Sequence, residues 1–416
     1  MKICILMGSA DISGGSYVIF EHALYLQSAG ADVTIVLAEP MSGVTPGWHP
    51  ALNRLTFKTF AEVAGRQFDL AMATWWRTIY ELHRLDARQY CYFVQSIESW
   101  FYPDQDAAVR NLANSTYLLG LPTITEAKWI KAHLKERFDI NAHLVKNGCH
   151  KSVYRPDGPV EAPRTPGRLR VLVEGPLGVD FKNIARTIAL LRKTLADEIW
   201  LLTISPISGY PGVERVFSRV PAYHCAQIYR SCDVLVKLSY VEGMFGPPLE
   251  MFHCGGTAVV YNVTGHDEYI VNGENAIVVP SGDERSAAAA VNELKRRPDY
   301  LARLKEGALS TAHAWPDWTD VSPQFHRALT AILEREPRVP RERLDALTRE
   351  VFSQYVRAEN AAASANRFSL PKRFAGLVDW AARSVTRRSA TAAHLLSVAR
   401  ARLIEERRQP APRSKI

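Results

Sequence analysis

The sequence predicts an α/β protein with two parallel-sheet domains that face each other across a cleft, followed by a helical, basic C-terminal extension. Short apolar runs such as KICILM (2–7) and DVLVKLSY (233–240) do not alternate with polar residues, which is typical of strands buried on both faces. Helical segments separate these runs, as in βαβ units. A stretch rich in proline, glycine and charge at 155–168 divides two such sets and predicts a domain boundary.

The first set opens with strand 2–7, the loop GSADISGGS and a helix over 16–30. Ser16 is the expected N-cap of that helix and Gly30 its stop signal. The further strands and the next helix of this set are expected at ADVTIVLA (31–38), FDLAMATWW (68–76), QYCYFVQS (89–96) and 125–137.

In the second set, strand LRVLVEG (169–175) precedes a helix at NIARTIALLRKTL (183–195). The remaining predicted elements are strand EIWLLTIS (198–205), helix CAQIYRSC (225–232), and strands DVLVKLSY, GGTAVVYN (255–262) and NAIVVP (275–280). The predicted organisation is an N-terminal domain over 1–155, a second domain over 165–320, a closing helix over 321–335 that returns to the first domain, and an extension over 336–416.

Composition and charge limit the function classes. The six cysteines are scattered without a C-x-x-C pair, and the histidines show no metal spacing, so neither a disulfide framework nor a metal site is expected in a cytoplasmic protein. Residues 361–416 hold twelve Lys/Arg against three Asp/Glu, whereas the rest holds 39 against 40. A nearly neutral body argues against a nucleic-acid partner. The basic tail, with an amphipathic pattern over 372–389, predicts contact of residues 372–408 with an anionic membrane, the alternative being a solvated helix or a disordered tail.

The stretch YVEGMFGPPLEMFHCGG (240–256) carries the expected ligand site. Glu242 follows a predicted strand at the edge where open α/β sheets bind ligands. Gly246-Pro247-Pro248 breaks the chain and begins a helix, so Glu250 is expected in its first turn. Two carboxylates suit a polyol and free helix N–H groups suit a phosphate, a combination found in a nucleotide sugar. The alternative is that Glu250 complements the helix dipole and Glu242 is a solvated loop residue.

The same stretch, continued through TGHDEYIVNGENAIVVP (264–280), resembles the E-x7-E signature of family 4 glycosyltransferases, which have the GT-B fold of two facing Rossmann-like domains. KNGCHKSVYRP (146–156) resembles the interdomain segment of that family. AHAWPDWTDVSPQFHRALTAIL (312–333) resembles its closing helix.

The resemblance implies roles for the residues of the second domain. Glu250 would bind the ribose hydroxyls, and Glu242 would contact the hydroxyls of the donor sugar. Phe245 and Gly246 would belong to the donor site. Lys182 would hold the diphosphate and act with Glu242 in catalysis, unless it is a solvated surface lysine. The position where the family has an arginine is occupied by Pro176. Either Lys182 is then the one cation that holds the diphosphate, or another basic residue replaces the arginine.

In the first domain, Gly14 and Gly15 resemble the glycine loop that reaches the donor phosphates, although an ordinary strand–helix turn is the alternative. YFVQSIESWFYP (92–103) resembles a subset of the family that transfers rhamnose in bacterial surface-glycan assembly. Gln95 and Glu98, within it, are candidates for the acceptor side of the cleft. His266 is a further candidate there, with a turn-forming histidine as the alternative.

The implied activity is retaining transfer of a hexosyl or deoxyhexosyl group, such as rhamnosyl, from a nucleoside diphosphate sugar to a glycan or lipid-linked glycan acceptor. It needs no cofactor and no metal, and it would take place in the cytoplasm, either free or at the inner face of the cytoplasmic membrane. A non-catalytic sugar-nucleotide or glycan-binding protein on the same fold is one alternative. An NAD-dependent oxidoreductase is the other: Glu39 at the end of the second strand favours it, but GSADISGGS does not fit G-x-G-x-x-G.

Overall fold

Two parallel sheets organise the computed structural model, which describes residues 1–39, 41, 43–335 and 339–365. The first sheet has the strand order β3-β2-β1-β4-β5-β6-β7. Its strands are β1 (Lys2–Met7), β2 (Asp32–Leu37), β3 (Thr56–Lys58), β4 (Gln67–Ala73), β5 (Asp86–Val94), β6 (Thr123–Thr125) and β7 (His143–Leu144). Its helices are α1 (Gly14–Ser28), α2 (Ala51–Arg54), α3 (Trp76–Ile79), α4 (Ala107–Ser115) and α5 (Lys128–Phe138).

The second sheet has the order β10-β9-β8-β11-β12-β13. Its strands are β8 (Arg170–Glu174), β9 (Glu198–Thr203), β10 (Arg215–Ser218), β11 (Val234–Lys237), β12 (Thr257–Tyr261) and β13 (Ile277–Val279). The remaining helices are α6 (Ile184–Leu191), α7 (Ala222–Ser231), α8 (Gly246–His253), α9 (Glu284–Arg296), α10 (Pro298–Ala314), α11 (Trp318–Leu333) and α12 (Arg341–Ala365).

The prediction of two parallel α/β sheets is confirmed, and burial explains why it succeeded. β1 and β2 bury every residue after their first, and β11 and β12 are buried throughout. Helices cover both faces of such sheets, so both sides of each strand are apolar. The short strands β3, β6 and β10 were not predicted; they have three or four residues each and lie at or next to a sheet edge, whereas β7 falls at the strand end expected in NAHLV (141–145).

Several helix boundaries differ from the prediction, among them the starts of α1, α11 and α8. α1 begins at Gly14 because Ser13, not Ser16, is the N-cap: the Ser13 hydroxyl accepts the N–H of Ser16 at 2.9 Å. α11 begins at Trp318 rather than 321 because Asp317 caps it in a capping box. α8 begins at Gly246, so Glu250 lies in the second turn and not in the first.

α11 packs on the first sheet although it follows the second sheet in the chain. Val321, Phe325 and Leu329 belong to the same apolar core as β1 and α1. The ring of His22, from α1, stacks on Phe325 with centroids 4.0 Å apart, and its Nδ1 lies 3.1 Å from the Ser322 hydroxyl. This helix therefore ties the chain that leaves the second domain to the first domain.

The C-terminal extension is described only in part. Its described portion is helix α12, which runs over Arg341–Ala365. The segment over 372–408 that is predicted to contact a membrane lies outside the described residues. Within residues 1–39, 41, 43–335 and 339–365, no helix combines the length and the apolar content needed to cross a bilayer.

Candidate active site

A cavity of about 690 Å³ lies between the two sheets, at the carboxyl ends of their strands. In the first sheet, the order in which strands are added reverses between β1 and β4, and Gly8, Thr74 and Gln95 line the cavity just after β1, β4 and β5. In the second sheet, the reversal lies between β8 and β11, whose last residues Glu174 and Lys237 also line it. Open α/β sheets bind ligands at this topological switch point, so the cavity joins two such crevices.

Four charged side chains form a chain of ion pairs on the second-domain side. Lys182 Nζ lies 2.7 Å from Glu242 Oε2, and Lys237 Nζ lies 3.7 Å from Glu242 Oε1. Lys237 also donates to the carboxylate of Glu174 at 2.5 Å and to its backbone carbonyl at 3.1 Å. The side chain of Lys182 is 22% exposed, whereas that of Lys237 is 2% exposed.

These ion pairs keep their buried members charged. Burial alone would raise the pKa of Glu242, but the Lys182 and Lys237 ammonium groups outweigh it and hold that pKa below its usual value. For Lys237, burial would lower the pKa, and the carboxylates of Glu174 and Glu242 raise it above its usual value instead. The site therefore presents two cations next to a buried carboxylate.

Glu250 projects from α8 into the same cavity, partly buried. Burial raises its pKa from the ordinary 4.5 to about 7, against a hydrogen bond from the Tyr229 side chain that lowers it. The negative charge of Glu174 raises the pKa further, and Lys237 lowers it. A carboxyl group that is half protonated near neutral pH is a candidate for ligand binding or proton handling.

The start of α8 offers fewer hydrogen-bond donors than its sequence suggests. Gly246 and Pro247 line the cavity, but Pro247 and Pro248 have no N–H group. The Gly246 N–H already donates to the Met244 carbonyl at 2.9 Å. The expectation that this helix start supplies free N–H groups to a phosphate is therefore wrong for the two prolines.

The first domain contributes the start of α1. Gly14 and Gly15 occupy its first two positions, where N–H groups have no partner inside a helix, and both line the cavity. A Cβ atom added at Gly15 would lie 3.3 Å from the Gln95 carboxamide nitrogen, so glycine allows Gln95 to pack there. Gln95 lines the cavity beside it.

Glu98 lies in the cavity wall and is 8% exposed. Its Oε2 accepts the N–H of Trp76 at 2.7 Å and the hydroxyl of Tyr92 at 3.0 Å. Burial raises its pKa to about 8, against those two hydrogen bonds and the charge of Arg77, which lower it. A carboxyl group in this position is mostly protonated at neutral pH and can donate a hydrogen bond.

The loop that carries Glu242 is held by the first domain. The Met244 N–H donates to Glu126 Oε1 at 3.2 Å, and the Trp129 indole N–H donates to the Gly243 carbonyl at 2.9 Å. A Cβ atom at Gly243 would lie only 2.1 Å from the Gln95 carbonyl oxygen. The two domains therefore meet so closely at this loop that only glycine fits.

Two further contacts join the domains at the cavity. Arg219, which follows β10, donates to Asp11 at 2.7 Å and to the Thr45 hydroxyl at 2.8 Å. The rings of Phe101 and Phe181 stack with centroids 4.9 Å apart, next to Lys182. The orientation of the two domains is thus fixed at several points around the cavity.

Two predicted site residues lie elsewhere. The side chain of Phe245 is fully buried in the core of the second domain and does not line the cavity. His266 lies on a separate pocket of about 290 Å³, where its Nδ1 is 2.6 Å from the Val263 carbonyl oxygen. That contact matches the turn-forming role that the sequence left open, and the expectation of His266 in the cleft is corrected.

The sequence analysis missed Lys237 and Glu126. The signal for Lys237 was a lysine inside the apolar run DVLVKLSY, because a charge at the end of a buried strand needs a partner. Glu126 follows β6, a strand too short to recognise, and burial raises its pKa to about 7. Both residues line the cavity.

Two facing Rossmann-like domains with a cleft at their switch points define the GT-B fold, which this chain has. Residues 215–311 match the family model described as glycosyl transferases group 1. They run from β10 to α10 and include Lys237, Glu242 and Glu250. The E-x7-E stretch lies within these matched residues, and the GT-B fold that the resemblance implied is confirmed.

Solved structures with similar folds include sucrose-phosphate synthase from Thermosynechococcus elongatus, with a TM-score of 0.63 and 16% identity over 80% of this chain and 100% of that chain. Anabaena HepE in complex with UDP-glucose gives a TM-score of 0.63 and 14% identity over the same shares. WaaG, a glycosyltransferase involved in lipopolysaccharide biosynthesis, gives a TM-score of 0.60 and 11% identity over 79% of this chain and 100% of that chain.

Two relatives are similar in sequence. The O-antigen biosynthesis protein RfbC of Myxococcus xanthus is 28% identical over 229 residues, which are 51% of this chain and 17% of the relative. The D-inositol 3-phosphate glycosyltransferase of Thermobispora bispora is 30% identical over 141 residues, which are 34% of this chain and 33% of the relative. The chain therefore matches a third or less of the length of these two relatives.

Proposed function

We propose that the protein is a retaining glycosyltransferase that moves a hexosyl or deoxyhexosyl group from a nucleoside diphosphate sugar to a hydroxyl of a bacterial surface glycan. The observation that carries the proposal is the cavity wall formed by Lys182, Glu242 and Glu250. It combines a partly exposed cation with two carboxylates at a switch point. The cation can pair with a diphosphate, and the carboxylates can accept hydrogen bonds from the hydroxyls of the ribose and the sugar.

Each part of the donor has a partner of suitable chemistry in this proposal. The Glu250 carboxylate accepts hydrogen bonds from the ribose hydroxyls. Glu242 Oε1 lies 3.7 Å from the Lys237 ammonium group and accepts no hydrogen bond from the described residues, so it can accept one from a hydroxyl of the donor sugar. Lys182 and the first N–H groups of α1, at Gly14 and Gly15, hold the diphosphate.

Catalysis then rests on the charge of the leaving diphosphate. As the bond between sugar and phosphate breaks, negative charge grows on the leaving group, and Lys182 stabilises it electrostatically. Closure of the two domains around the cavity excludes water and so prevents hydrolysis of the donor. Glu98, mostly protonated at neutral pH, can hydrogen-bond to the acceptor from the opposite wall.

The finer parts of the proposal concern donor, acceptor and location. HepE was solved in complex with UDP-glucose, so UDP sugars are among the first donors to test. The name of RfbC gives O-antigen biosynthesis, and with the resemblance to rhamnose-transferring enzymes this makes dTDP-rhamnose the other. The proposal assigns the acceptor to the domain over 1–155 and the donor to the domain over 165–320. It places the reaction at the inner face of the cytoplasmic membrane, reached through the basic tail.

A non-catalytic sugar-nucleotide-binding protein is the alternative, and Pro176 favours it. Pro176 lines the cavity at the position where the family resemblance implies an arginine, and proline offers no charge to the diphosphate. The alternative predicts tight binding of a sugar nucleotide without turnover.

The proposal is tested by thermal shift against UDP, GDP, dTDP and NAD, with the wild type and Glu250→Ala. Stabilisation by one nucleoside diphosphate that is lost in the variant supports the donor site and identifies the base. Stabilisation by NAD alone, or a shift that does not depend on Glu250, contradicts it. Glu306→Ala, an exposed glutamate on α10, is the matched control.

A further inference from the structure

Lys182 has two roles that compete with each other. Its ammonium group lies 2.7 Å from Glu242 Oε2, yet the proposed function also requires it to bind the donor diphosphate. The side chain of Glu242 is only 7% exposed. If Lys182 moved to the diphosphate and nothing replaced it, a buried carboxylate would lose its counter-ion, which is strongly unfavourable.

Lys237 is placed to prevent this loss. It ends β11, which lies between β8 and β12 in the second sheet, and its side chain is 2% exposed. Two of its three ammonium hydrogens bond to the carboxylate and the carbonyl of Glu174, at 2.5 and 3.1 Å. Its nitrogen lies 3.7 Å from Glu242 Oε1, so the remaining hydrogen has a carboxylate within reach.

The two lysines differ in freedom. Lys182 lies in the short 3₁₀ turn Asp180–Lys182, its side chain is 22% exposed, and Glu242 is the carboxylate with which it pairs. Lys237 is enclosed by its sheet and anchored by Glu174. A flexible, partly exposed lysine can change partner at low cost, whereas an enclosed lysine with three partner groups cannot.

We infer that Lys237 is the permanent counter-ion of Glu242, which allows Lys182 to leave this carboxylate and bind the diphosphate. Lys237 is thus a positioning residue that does not contact the donor. It also brings a second cation next to the loop of Pro176, because a Cβ atom at the adjacent Gly175 would lie 3.8 Å from its nitrogen. The inference rests on the proposed donor site and deepens it.

The inference predicts a specific coupling between two substitutions. In Lys237→Met, Glu242 has only Lys182 as counter-ion, so Lys182 stays bound to it and nucleoside diphosphate affinity falls about tenfold, or about 1.4 kcal/mol. In Lys237→Met/Glu242→Gln, the buried carboxylate is gone and Lys182 is free. Affinity then returns to within about twofold of the wild type, a difference of roughly 0.4 kcal/mol.

The experiment is isothermal titration with UDP, GDP and dTDP on the wild type, the two Lys237 variants, and Lys305→Met as control. Lys305 pairs with Asp233 at 2.6 Å in the same domain but does not line the cavity, so its variant should bind as the wild type does. The pH dependence gives a second readout: as acid protonates Glu242, the affinity of Lys237→Met should approach that of the double variant at the same pH, which shares the effect of Glu250.

Several results would overturn the inference. Wild-type affinity in Lys237→Met would mean that Lys182 can leave Glu242 without a second counter-ion for that carboxylate. Weak binding by a folded double variant would mean that Lys237 contacts the phosphate itself. If Lys237→Met does not fold, the double variant decides alone, because it removes the lysine and the carboxylate together. Absence of binding by the wild type to all three nucleotides would overturn the proposed function and this inference with it.

Discussion

Replacing Glu250 by glutamine should stabilise the protein in the absence of ligand, by an amount that depends on pH. Burial raises the pKa of this carboxyl from 4.5 to about 7. Each pKa step of one is worth about 1.4 kcal/mol, so ionising Glu250 costs the folded protein about 3 kcal/mol relative to the unfolded chain. Glutamine carries no charge and keeps an oxygen that accepts the hydrogen bond from Tyr229.

The direction in which stability changes with pH follows from the raised pKa of Glu250. Below about pH 4.5 the side chain is protonated in both states, so no penalty arises. The penalty grows between about pH 4.5 and pH 7, where the unfolded chain is ionised and the folded protein is still protonated, and it is complete above about pH 7, where both states are ionised. The free energy of unfolding of Glu250→Gln should therefore exceed that of the wild type by about 3 kcal/mol at pH 8 and by about 1 kcal/mol or less at pH 5.

Thermal unfolding at pH 5 and pH 8 measures this difference. A gain of about 3 kcal/mol corresponds to a rise in Tm of roughly 5 °C or more. Glu306→Gln, on the exposed face of α10, should change Tm by little at either pH. Equal effects of Glu250→Gln at both pH values, or a loss of stability at pH 8, would refute the burial argument. A stabilised protein with weaker nucleotide binding would show that Glu250 is retained for its ligand.

Three further predictions concern the ligand and the domain interface. Nucleoside diphosphate affinity should rise about tenfold from pH 6 to pH 8 as Glu250 ionises, and titration calorimetry should find no such rise in Glu250→Gln. Lys182→Met should lower the rate of sugar transfer by about 10²–10³, measured as initial rates, because the leaving diphosphate loses its cation; an unchanged rate would exclude this role. Gly243→Ala should lower turnover but not nucleotide affinity, because the added Cβ would lie 2.1 Å from the Gln95 carbonyl oxygen and disturb the contact between the domains. Gly209→Ala is the control and should leave both quantities intact, because there is open space around its Cβ.

The sequence was sufficient for the fold because burial on both faces leaves a strong pattern. Strands such as β1 and β12 have uninterrupted apolar residues between turn signals, and the helices between them carry apolar faces. The short edge strand β10 left no such pattern, because its first residue is exposed and its other three are only half-buried. Ser13 and Ser16 are both good caps, and only the backbone geometry decides between them.

The site was only partly predictable, for a different reason. Glu242, Glu250 and Lys182 lie in recognisable segments, but their partners come from distant positions in the chain. Pairing of Lys182 with Glu242, across 60 residues, depends on how the loops after β8 and β11 meet. The role of Lys237 likewise depends on Glu174 at the end of the neighbouring strand. Contacts of this kind are set by sheet order and register, which local sequence does not encode.

The most direct test of the whole account is nucleoside diphosphate release by the purified protein. The protein is incubated with UDP, GDP and dTDP sugars, with and without bacterial glycan or lipid-linked glycan acceptors, and Lys182→Met serves as the inactive variant. The account predicts that one donor releases its nucleoside diphosphate faster with an acceptor, that Lys182→Met does not, and that the new bond retains the donor's anomeric configuration. Tight donor binding without release under any of these conditions would contradict the transferase and leave a binding protein.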